Sequence, residues 1–402
     1  MTPRASRGTT GASVVVVGAG VEGVSTARAF VERGVTDVTV VDRGDVGGGM
    51  TSLSAGIVRC HYGVASLAAM AWRSLPVLAD AVEVLGDEVG FHPTGYLVGV
   101  GPDNTAALQA NVAMQRAVGV EVDLVGHDRA GELWPGADLD GFAAFAYEPR
   151  GGYGDGYQTA QAFATAARRR GATIRARTPV VSVDADGRGV TGVTLADGSR
   201  LGADVIVVAA GAWSPALVAS LGVDLPIRAQ RAQILIVDPS SERGPVPVFS
   251  DLVSLQYVRP EGTGSLLVGD SDHTHPEWAD PDHYPNRADD DYLDVAVPKL
   301  ARRFPTLTTA QLVSSYSGCY DVTPDYNPVL SASPVGGLYV CAGFSGHGYK
   351  ISPAVGELMA DLVLDGRSRH PDIEATDFRL GRFAEGSPLR SPHPYTGAGE
   401  MR

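Results

Sequence analysis

Three glycines and an acid near the start of the chain have the spacing that a nucleotide-binding site requires. The segment GAGVEG supplies Gly18, Gly20 and Gly23, and Asp42 ends the next apolar run. Gly18 permits a tight turn, Gly20 lets the backbone approach a pyrophosphate, and Gly23 lets a helix pack closely on a strand. Amides at a helix N-terminus bind phosphate, and a carboxylate accepts from a ribose hydroxyl. These residues therefore predict a dinucleotide site.

The elements that must position these glycines are present on both sides of them. Val14–Val17 is typical of a buried strand, a helical pattern continues to Gly34, and Val38–Val41 is a second strand-like run. An ordinary glycine turn before a helix is the alternative, but it requires neither the second strand nor its terminal acid. The full βαβ context favours the nucleotide site.

A second glycine-rich stretch, GFSGHGYK at residues 343–350, separates a strand-like run from a helix-like run. Glycine is costly in regular structure, so a cluster indicates that the backbone passes close to another group. In the following SPAVGELMADLVL, Ser352 suits an N-cap and Pro353 suits the first helical turn. The amides of such a helix start stabilise negative charge near the helix N-terminus.

The composition excludes several classes of protein. The 402 residues are 44% hydrophobic and 19% charged, which is typical of a folded chain with two or three domains. A net charge of −14 argues against nucleic-acid binding. No apolar run reaches transmembrane length, and the first residues contain no secretory apolar segment. Three cysteines (Cys60, Cys319 and Cys341) are too few for a disulfide framework, so we expect a cytoplasmic protein without membrane contact.

Residues 179–217 predict a meander that returns to the nucleotide-binding sheet. Three short strands are joined by turns at Asp186-Gly187 and Asp197-Gly198. The very apolar Val205–Ala209 then leads into a turn of small residues. A minimal NAD domain would not need this meander.

The GxGxxG motif with Asp42, the VVAAGAWS turn and the segment from TPDYNPVL to GFSGHGYKISPAVGELMADLV together resemble the D-amino acid oxidase superfamily of FAD-dependent amine oxidoreductases. The resemblance covers about residues 13–366. It implies an α/β fold, with a Rossmann-like FAD-binding domain plus an α+β substrate domain built on a mainly antiparallel sheet. The expected FAD-binding domain is 13–80, 145–222 and 318–370, the substrate domain is 81–144 and 223–317, and 1–12 and 371–402 are loose tails.

The resemblance implies FAD-binding residues in four parts of the chain. They are Gly18, Gly20, Val21, Gly23, Asp42 and Arg43; Thr51, Ser52, Ser54, Ala55 and Gly56; Val181, Ala210, Gly211 and Trp213; and Gly343, Ser345, Gly346, His347, Gly348, Tyr349 and Lys350.

The branches of the superfamily differ in how they hold the substrate carboxylate. The arginine that glycine and D-amino acid oxidases use falls at Tyr320, so it is missing here. The sarcosine oxidase and N-methyl amino acid oxidase branch pairs an early arginine with a late lysine, and these positions match Arg59 and Lys350. A guanidinium offers bidentate donors to a carboxylate, and an ammonium adds a compact charge. We expect these two residues to form a carboxylate clamp; a surface arginine and an ordinary helix-start lysine are the alternatives.

Three more residues are expected beside the substrate and the flavin. Tyr257 and Tyr320 match aromatic pocket positions of the same branch, where a tyrosine supplies an apolar wall and a hydrogen-bonding tip. Either could equally be an ordinary strand aromatic. His347 either adds a donor near the flavin or bonds to the backbone.

Other positions depart from the pattern of that branch. The cysteine that attaches FAD covalently falls at Gly318, and the histidine that dimethylglycine dehydrogenases use falls at Leu53. We therefore expect non-covalent FAD, with Cys60 as a weak alternative anchor. The lysine associated with oxygen activation is replaced by Leu267, so another electron acceptor is an alternative to oxygen.

The resemblance implies oxidation of the C–N bond of a secondary amino acid, either N-alkylated or cyclic. The product is an imine that hydrolyses, and oxygen reoxidises the flavin to give hydrogen peroxide. The alternatives are an amine dehydrogenase with another acceptor, and glycine or D-amino acid oxidase specificity. A flavin hydroxylase would carry a late Gly-Asp motif, and an electron shuttle would need no carboxylate clamp.

The segment DSDHTHPEWADPDHYPNRADDD, residues 270–291, contains several histidines and acids. Its prolines and the lack of a fixed ligand spacing favour a solvated loop over a metal site, so no metal is expected. In this family such a loop could lie at the mouth of the pocket.

Overall fold

The computed structural model describes residues 11–240, 244–262, 264–307 and 309–397. Residues 1–10 and 398–402, which belong to the expected tails, lie outside the described residues.

The strands are numbered in chain order. They are β1 (Ser13–Val17), β2 (Asp37–Val41), β3 (Ile57–Val58), β4 (Tyr96–Val100), β5 (Asp123–Val125), β6 (Ala144–Glu148), β7 (Gly152–Tyr153), β8 (Thr173–Arg175), β9 (Val180–Asp186), β10 (Gly189–Leu195), β11 (Arg200–Gly202), β12 (Val205–Val208), β13 (Arg228–Asp238), β14 (Val248–Asp251), β15 (Gln256–Glu261), β16 (Ser265–Asp270), β17 (Gln311–Val322), β18 (Val329–Ala332) and β19 (Leu338–Ala342).

The α-helices connect and cover these strands. They are α1 (Val21–Glu32), α2 (Ala65–Ala79), α3 (Ala81–Leu85), α4 (Thr105–Val118), α5 (His127–Leu133), α6 (Gly156–Arg169), α7 (Ser214–Val218), α8 (Asp290–Arg303) and α9 (Ser352–Asp365).

One sheet carries the predicted nucleotide-binding motif. Its strand order is β18-β19-β12-β1-β2-β8, and every pair is parallel except β18 with β19. The central strands β1 and β12 are mostly apolar because both of their faces are covered. Val14 and Val16 pack in a core with α1, α6 and α9, and Val15 packs in a second core with residues of the β9–β11 sheet. Helix α1 packs against both α6 and α9. This arrangement confirms the expected Rossmann-like part of the fold.

A second sheet of eight strands has the order β17-β13-β16-β15-β14-β4-β6-β5. Its pairs are antiparallel except β14 with β4, which confirms the mainly antiparallel sheet. Aromatic side chains form much of its core, including the fully buried Trp134, Phe249 and Phe304. The expected domain boundaries at 145 and 318 fall within β6 and β17, so each of these strands extends across a boundary.

The predicted meander is also present. Strands β9, β10 and β11 form an antiparallel sheet, and their connections contain the two predicted Asp-Gly turns. The chain then enters the first sheet through β12, as the sequence indicated.

The stretch from residue 371, expected to be a loose tail, packs on the body of the protein as far as residue 397. The Arg382 side chain is fully buried and binds the Asp325 carboxylate through two bonds, Nε–Oδ2 at 2.7 Å and Nη2–Oδ1 at 2.9 Å. Tyr395 is also buried, and its hydroxyl lies 2.7 Å from Nε2 of His61. No sequence signal marks these contacts, because each is made by a single side chain and not by a periodic pattern. Composition alone therefore indicated a tail.

Helix α9 differs in detail from its prediction. Pro353 lies in its first turn, as expected, but Ile351 is the N-cap residue. Ser352 is the first helical residue, and its hydroxyl donates to the carbonyl of Tyr349. In the part of the chain that the structure describes, no helix has the length and apolar character needed to cross a bilayer.

Replacing Arg382 by Met should destabilise the fold strongly, because it leaves the Asp325 carboxylate buried without its partner. Removing one member of a buried ion pair costs about 3–5 kcal/mol of unfolding free energy. Urea unfolding measures this loss. Arg379→Met is the matched control: it breaks an exposed pair with Glu385 that solvent screens, so it should change the unfolding free energy far less. Equal losses in the two variants would contradict the structural role of Arg382.

Candidate active site

A cavity of about 730 Å³ is lined by residues of both large sheets. Its walls come from the start of α1, the segment after β2, the turn after β12, the end of β17 and the glycine loop after β19. Strands β1, β12 and β19 are parallel neighbours, so their carboxyl ends open on the same side. Ligands of open α/β sheets bind at this edge.

The first glycine motif has the geometry that its spacing predicts. Gly18 has φ +114°, and a Cβ there would lie 2.2 Å from the carbonyl oxygen of Ala209 in the turn after β12. A Cβ on Gly23 would lie 1.9 Å from the carbonyl oxygen of Gly18. These two glycines therefore let β1, β12 and α1 meet closely. Gly20 lines the cavity itself.

Asp42 and Thr51 fix the backbone around this turn. One carboxylate oxygen of Asp42 accepts from the amide of Ala19 at 2.6 Å, and the other accepts from the amide of Gly44 at 2.7 Å. The hydroxyl of Thr51 accepts from the amide of Val21 at 3.1 Å. Both side chains also line the cavity, so the residues that shape the turn are available to a ligand.

Arg43 and Trp213 form one end of the cavity. The Arg43 guanidinium lies 4.2 Å from the centre of the Trp213 ring. Asp282, from the acidic segment of the other sheet, binds both: its Oδ1 is 2.8 Å from Nη2 of Arg43 and accepts from Nε1 of Trp213 at 3.0 Å.

The glycine loop after β19 forms the other end. Gly343 and Gly346 have φ of +83° and +86°, in the left-handed region that favours glycine. The amide of Gly343 donates to Oδ2 of Asp321 at 2.7 Å, and a Cβ on Gly346 would lie 2.8 Å from the Tyr320 ring. Burial raises the pKa of Asp321 to about 6, although backbone amides of the loop oppose this shift. The end of β17 thus sets the path of the loop.

Arg59 and Lys350, the expected clamp, are both buried and both line the cavity. The Arg59 guanidinium lies 4.6 Å from the centre of the Tyr62 ring, and the Lys350 ammonium lies 6.0 Å from the same centre. Arg59 also donates to the carbonyl of His61, and Lys350 donates to the carbonyl of His347 at 3.4 Å. The structure therefore brings two cations together around one aromatic ring.

Glu148 lies behind Arg59. Its Oε2 accepts from the amide of Cys60 at 2.7 Å, and its other oxygen has no hydrogen-bond partner among the described residues. Burial raises the pKa of Glu148 to about 7, while the Cys60 amide and the charge of Arg59 oppose the shift. No motif or spacing in the sequence indicated this buried acid.

His347 was expected either to donate near the flavin or to bond to the backbone, and it contacts the backbone. Its Nε2 lies 2.8 Å from the carbonyl oxygen of Tyr326, and Nδ1 lies 3.4 Å from the Tyr62 hydroxyl. Burial, followed by the charge of Lys350, lowers the pKa of His347 to about 3. The ring is therefore neutral, its Nε2–H donates to the carbonyl, and Nδ1 is left as an acceptor.

Tyr257 and Tyr320 lie side by side in the cavity wall. A hydrogen bond joins their hydroxyls, and burial raises the pKa of Tyr257 well above its usual value. A Cβ on Gly269 would lie 2.1 Å from the Tyr257 ring, so that ring packs flat on the neighbouring strand. Leu267 contributes to the same small apolar cluster beneath the wall.

Most of the predicted site residues line this cavity. Those that do not are Gly23, Ser52, Gly343 and Ser345. Gly23 and Gly343 still shape the walls through the contacts described above. Sequence reasoning missed many other lining residues, among them Glu22, Met50 and Asp321. An acid inside a glycine motif and a methionine in a loop carry no spacing signal.

The positions considered for covalent attachment also lie at the cavity, with one exception. A Cβ on Gly318 would lie 3.1 Å from Cβ of Leu53, and both residues line the cavity. Neither can form a bond to a flavin. Cys60 is buried outside the lining, whereas Cys319 and Cys341 belong to it.

The residues present fit FAD. Gly20 and the start of α1 suit a pyrophosphate, and Asp42 suits a ribose. The glycine loop and the two tyrosines border another part of the cavity, and the unpartnered buried carboxyl of Glu22 lies beside this loop at Gly348. When bound, FAD supplies the acceptor for the two electrons of an oxidation.

Two proteins show similarity along nearly the whole chain. FAD-dependent oxidoreductase domain-containing protein 1 of Xenopus laevis is 29% identical, over 94% of this chain and 84% of that protein. Sarcosine oxidase subunit beta of Rhodobacter capsulatus is 27% identical, over 93% of this chain and 89% of that protein. Among solved structures, L-proline dehydrogenase from P. horikoshii superposes with a TM-score of 0.85 at 26% identity, over 94% of this chain and 99% of the other.

The family comparison agrees with the cavity and confirms the expected FAD dependence. The match to the DAO family model, described as FAD dependent oxidoreductase, spans residues 13–362. The chain therefore belongs to the DAO family of FAD-dependent oxidoreductases.

Proposed function

We propose that this protein oxidises the C–N bond of a secondary amino acid, either N-alkylated or cyclic. The C–H bond beside the nitrogen loses a hydride, which is one proton with two electrons. The resulting imine hydrolyses in water. The observation that carries the proposal is the pair of buried cations, Arg59 and Lys350, in the wall of the FAD cavity.

The clamp explains how the substrate is held. A buried guanidinium remains charged at all working pH values, and it offers planar donors that match a carboxylate. Among the described residues Arg59 forms no ion pair within 4.0 Å, so its charge is available to a ligand. Fixing the carboxylate at one end orients the neighbouring C–H bond, which is the main contribution of positioning to the rate.

The tyrosine pair and the neutral His347 suit a secondary amine. Tyr257 and Tyr320 give an apolar wall for an N-alkyl group or a ring. His347 carries no positive charge, so it adds no cation beside the substrate nitrogen. The cations of the clamp favour the neutral form of a nearby amine, which is the form that can be oxidised.

Two of the related proteins support this substrate class. Their names contain sarcosine and L-proline, which are both secondary amino acids with a free carboxylate. Glycine oxidases share the fold, but the family resemblance places the position of their arginine at Tyr320 of this chain.

Oxygen is the proposed electron acceptor, and hydrogen peroxide is then the second product. The alternative is a dehydrogenase that passes electrons to another acceptor. Leu267 favours that alternative, because an apolar, buried residue occupies the position where the resemblance places a lysine. Mixing the substrate-reduced enzyme with air distinguishes the two: reoxidation within one turnover time supports an oxidase.

Arg59→Met and Lys350→Met should each weaken binding of the amino acid at least roughly tenfold, because each removes a charge-assisted bond to the carboxylate. The measurement is anaerobic bleaching of the flavin by sarcosine, L-proline, L-pipecolate, glycine and D-alanine. The methyl ester of the best substrate is the control, and it should react equally slowly with all three proteins. Bleaching by glycine or D-alanine alone would contradict the secondary amino acid proposal.

Carboxylate binding should weaken as the pH rises through about 7. Glu148 is neutral below that pH, and above it the ionised carboxylate competes with the ligand for Arg59. The dissociation constant of acetate, followed by the flavin spectrum, should therefore rise several-fold between pH 6 and pH 8. Glu148→Gln removes the titrating carboxyl, so the dissociation constant of acetate should no longer change with pH. A pH dependence that persists in this variant would contradict the role of Glu148.

We also propose that FAD is held without a covalent bond, partly by the strap formed by residues 277–289. Both ends of the strap bind the buried Arg231: Glu277 Oε1 lies 2.8 Å from Nη1, and Asp289 Oδ1 lies 3.1 Å from Nη2. Between them Asp282 reaches Arg43 and Trp213. The strap therefore ties the substrate sheet to the end of the cavity expected to hold the adenosine.

Asp282→Ala should release FAD faster. It removes a partly exposed ion pair and a hydrogen bond that together contribute about 1 kcal/mol, or roughly a fivefold change. The rate follows from the rise of free-flavin fluorescence after dilution of the holoenzyme. Glu121→Ala, which breaks an exposed pair with Arg150 outside the cavity lining, should leave the rate unchanged. Flavin that stays with the polypeptide after acid precipitation would refute non-covalent binding.

A further inference from the structure

Glu22 is a buried acid for which the proposed reaction has no use. It occupies the last variable position of the Gly18–Gly23 motif and is the second residue of α1. Its exposed fraction is 8%, and neither carboxyl oxygen has a hydrogen-bond partner among the residues that the structure describes. It nevertheless lines the FAD cavity, and so does Gly348, which lies next to its Oε1.

The glycine loop leaves space for this side chain. A Cβ on Gly348 would lie 2.6 Å from Oε1 of Glu22 and 2.9 Å from Cγ of Phe344, so a side chain at 348 would have to displace the carboxyl or the ring. Gly348, the third glycine of GFSGHGYK, therefore leaves the space that the Glu22 carboxyl occupies. Two motifs that lie far apart in the sequence meet at this acid.

The groups around Glu22 favour its neutral form. Asp321 at the end of β17 carries like charge, Cys341 on β19 and Thr26 on α1 are uncharged neighbours, and Lys350 carries the opposite charge. Burial is the largest influence and Asp321 the second, and together they raise the pKa of Glu22 well above its usual value despite Lys350. A neutral carboxyl has an O–H to donate, and a buried donor without an acceptor destabilises the protein.

FAD can supply the hydrogen-bond acceptor that a neutral Glu22 lacks, because the ribityl chain, pyrophosphate and flavin ring of FAD all carry acceptor atoms. We propose that Glu22 is a cofactor-binding residue whose protonated carboxyl donates a hydrogen bond to an acceptor of FAD. An ionised Glu22 would instead place a second negative charge beside Asp321 and face those acceptors without a proton. FAD binding is therefore tied to the presence of this one proton.

This hydrogen bond sets the direction in which FAD affinity changes with pH. Below the pKa of Glu22 in the FAD-free protein, the proton is present and FAD affinity is full. Above it, binding FAD requires uptake of a proton, so affinity falls up to tenfold for each pH unit. The proposal requires only the FAD dependence of the family and not the amine substrate, so either can fail without the other.

The test compares FAD release from three holoenzymes between pH 5 and pH 10, using free-flavin fluorescence after dilution to obtain the dissociation constant. Wild type should bind FAD progressively less tightly as the pH rises. Glu22→Gln keeps a neutral donor of the same shape, so its affinity should be high and flat across the range. Glu22→Leu has no donor, and its dissociation constant at pH 5 should be about tenfold above that of wild type.

Glu148→Gln is the matched control, since Glu148 is another buried acid with a raised pKa but lies outside the cavity lining. It should leave the pH dependence of FAD release intact. If Glu22→Leu does not fold, the flat profile of Glu22→Gln decides alone.

Three results would overturn the proposal. One is a wild-type affinity that does not change with pH, and another is a Glu22→Leu protein that binds FAD as tightly as wild type at pH 5. The third is a Glu22→Gln protein that binds FAD normally, keeps the wild-type pH slope and binds acetate differently. That result would mean that an ionised Glu22 balances the charge of Lys350 and does not bind FAD.

Discussion

The hydrogen bond from the amide of Gly343 to the carboxylate of Asp321 joins the two sheets at the point where the site forms. Asp321 belongs to β17 of the eight-stranded sheet, and Gly343 follows β19 of the six-stranded sheet. The amide of Ser345 also donates to the carbonyl of Asp321, at 3.2 Å. With both bonds in place the loop can turn back toward the cavity, and Lys350 then lies in the cavity wall, where Arg59 also lies.

The other parts of the site follow from this junction. A loop held at its start has a defined path, so Gly346 can contact the Tyr320 ring and Gly348 can leave room for Glu22. The same path places the carbonyl of His347 within reach of the Lys350 ammonium. Acidic groups and cations thereby share one wall, and burial raises the pKa of Glu22, Glu148 and Asp321 above the usual values.

Much of the fold could be predicted from the sequence because its signals are local. Glycine spacing, apolar runs and Asp-Gly turns predicted β1, α1, β2 and the meander, and the family pattern indicated Arg59 and Lys350, which both line the cavity. Contacts made by single side chains across the fold could not be predicted. Arg382 and Asp325 are 57 positions apart, and Asp282 reaches Trp213 across 69 positions. No periodicity or motif marks such pairs, so composition predicted a tail where Arg382 and Tyr395 contact the rest of the protein.

The six-stranded sheet has a consequence for how the protein is made. Its strands come from the beginning, the middle and the late part of the chain, and β19 pairs directly with β12 beside β1. A ribosome must therefore synthesise the chain past residue 350 before the edge of the sheet and the glycine loop can close. Such long-range pairing folds slowly and exposes unpaired strands meanwhile. Until β19 has been made, β12 has an unpaired edge in the growing chain, and this edge is a site for aggregation.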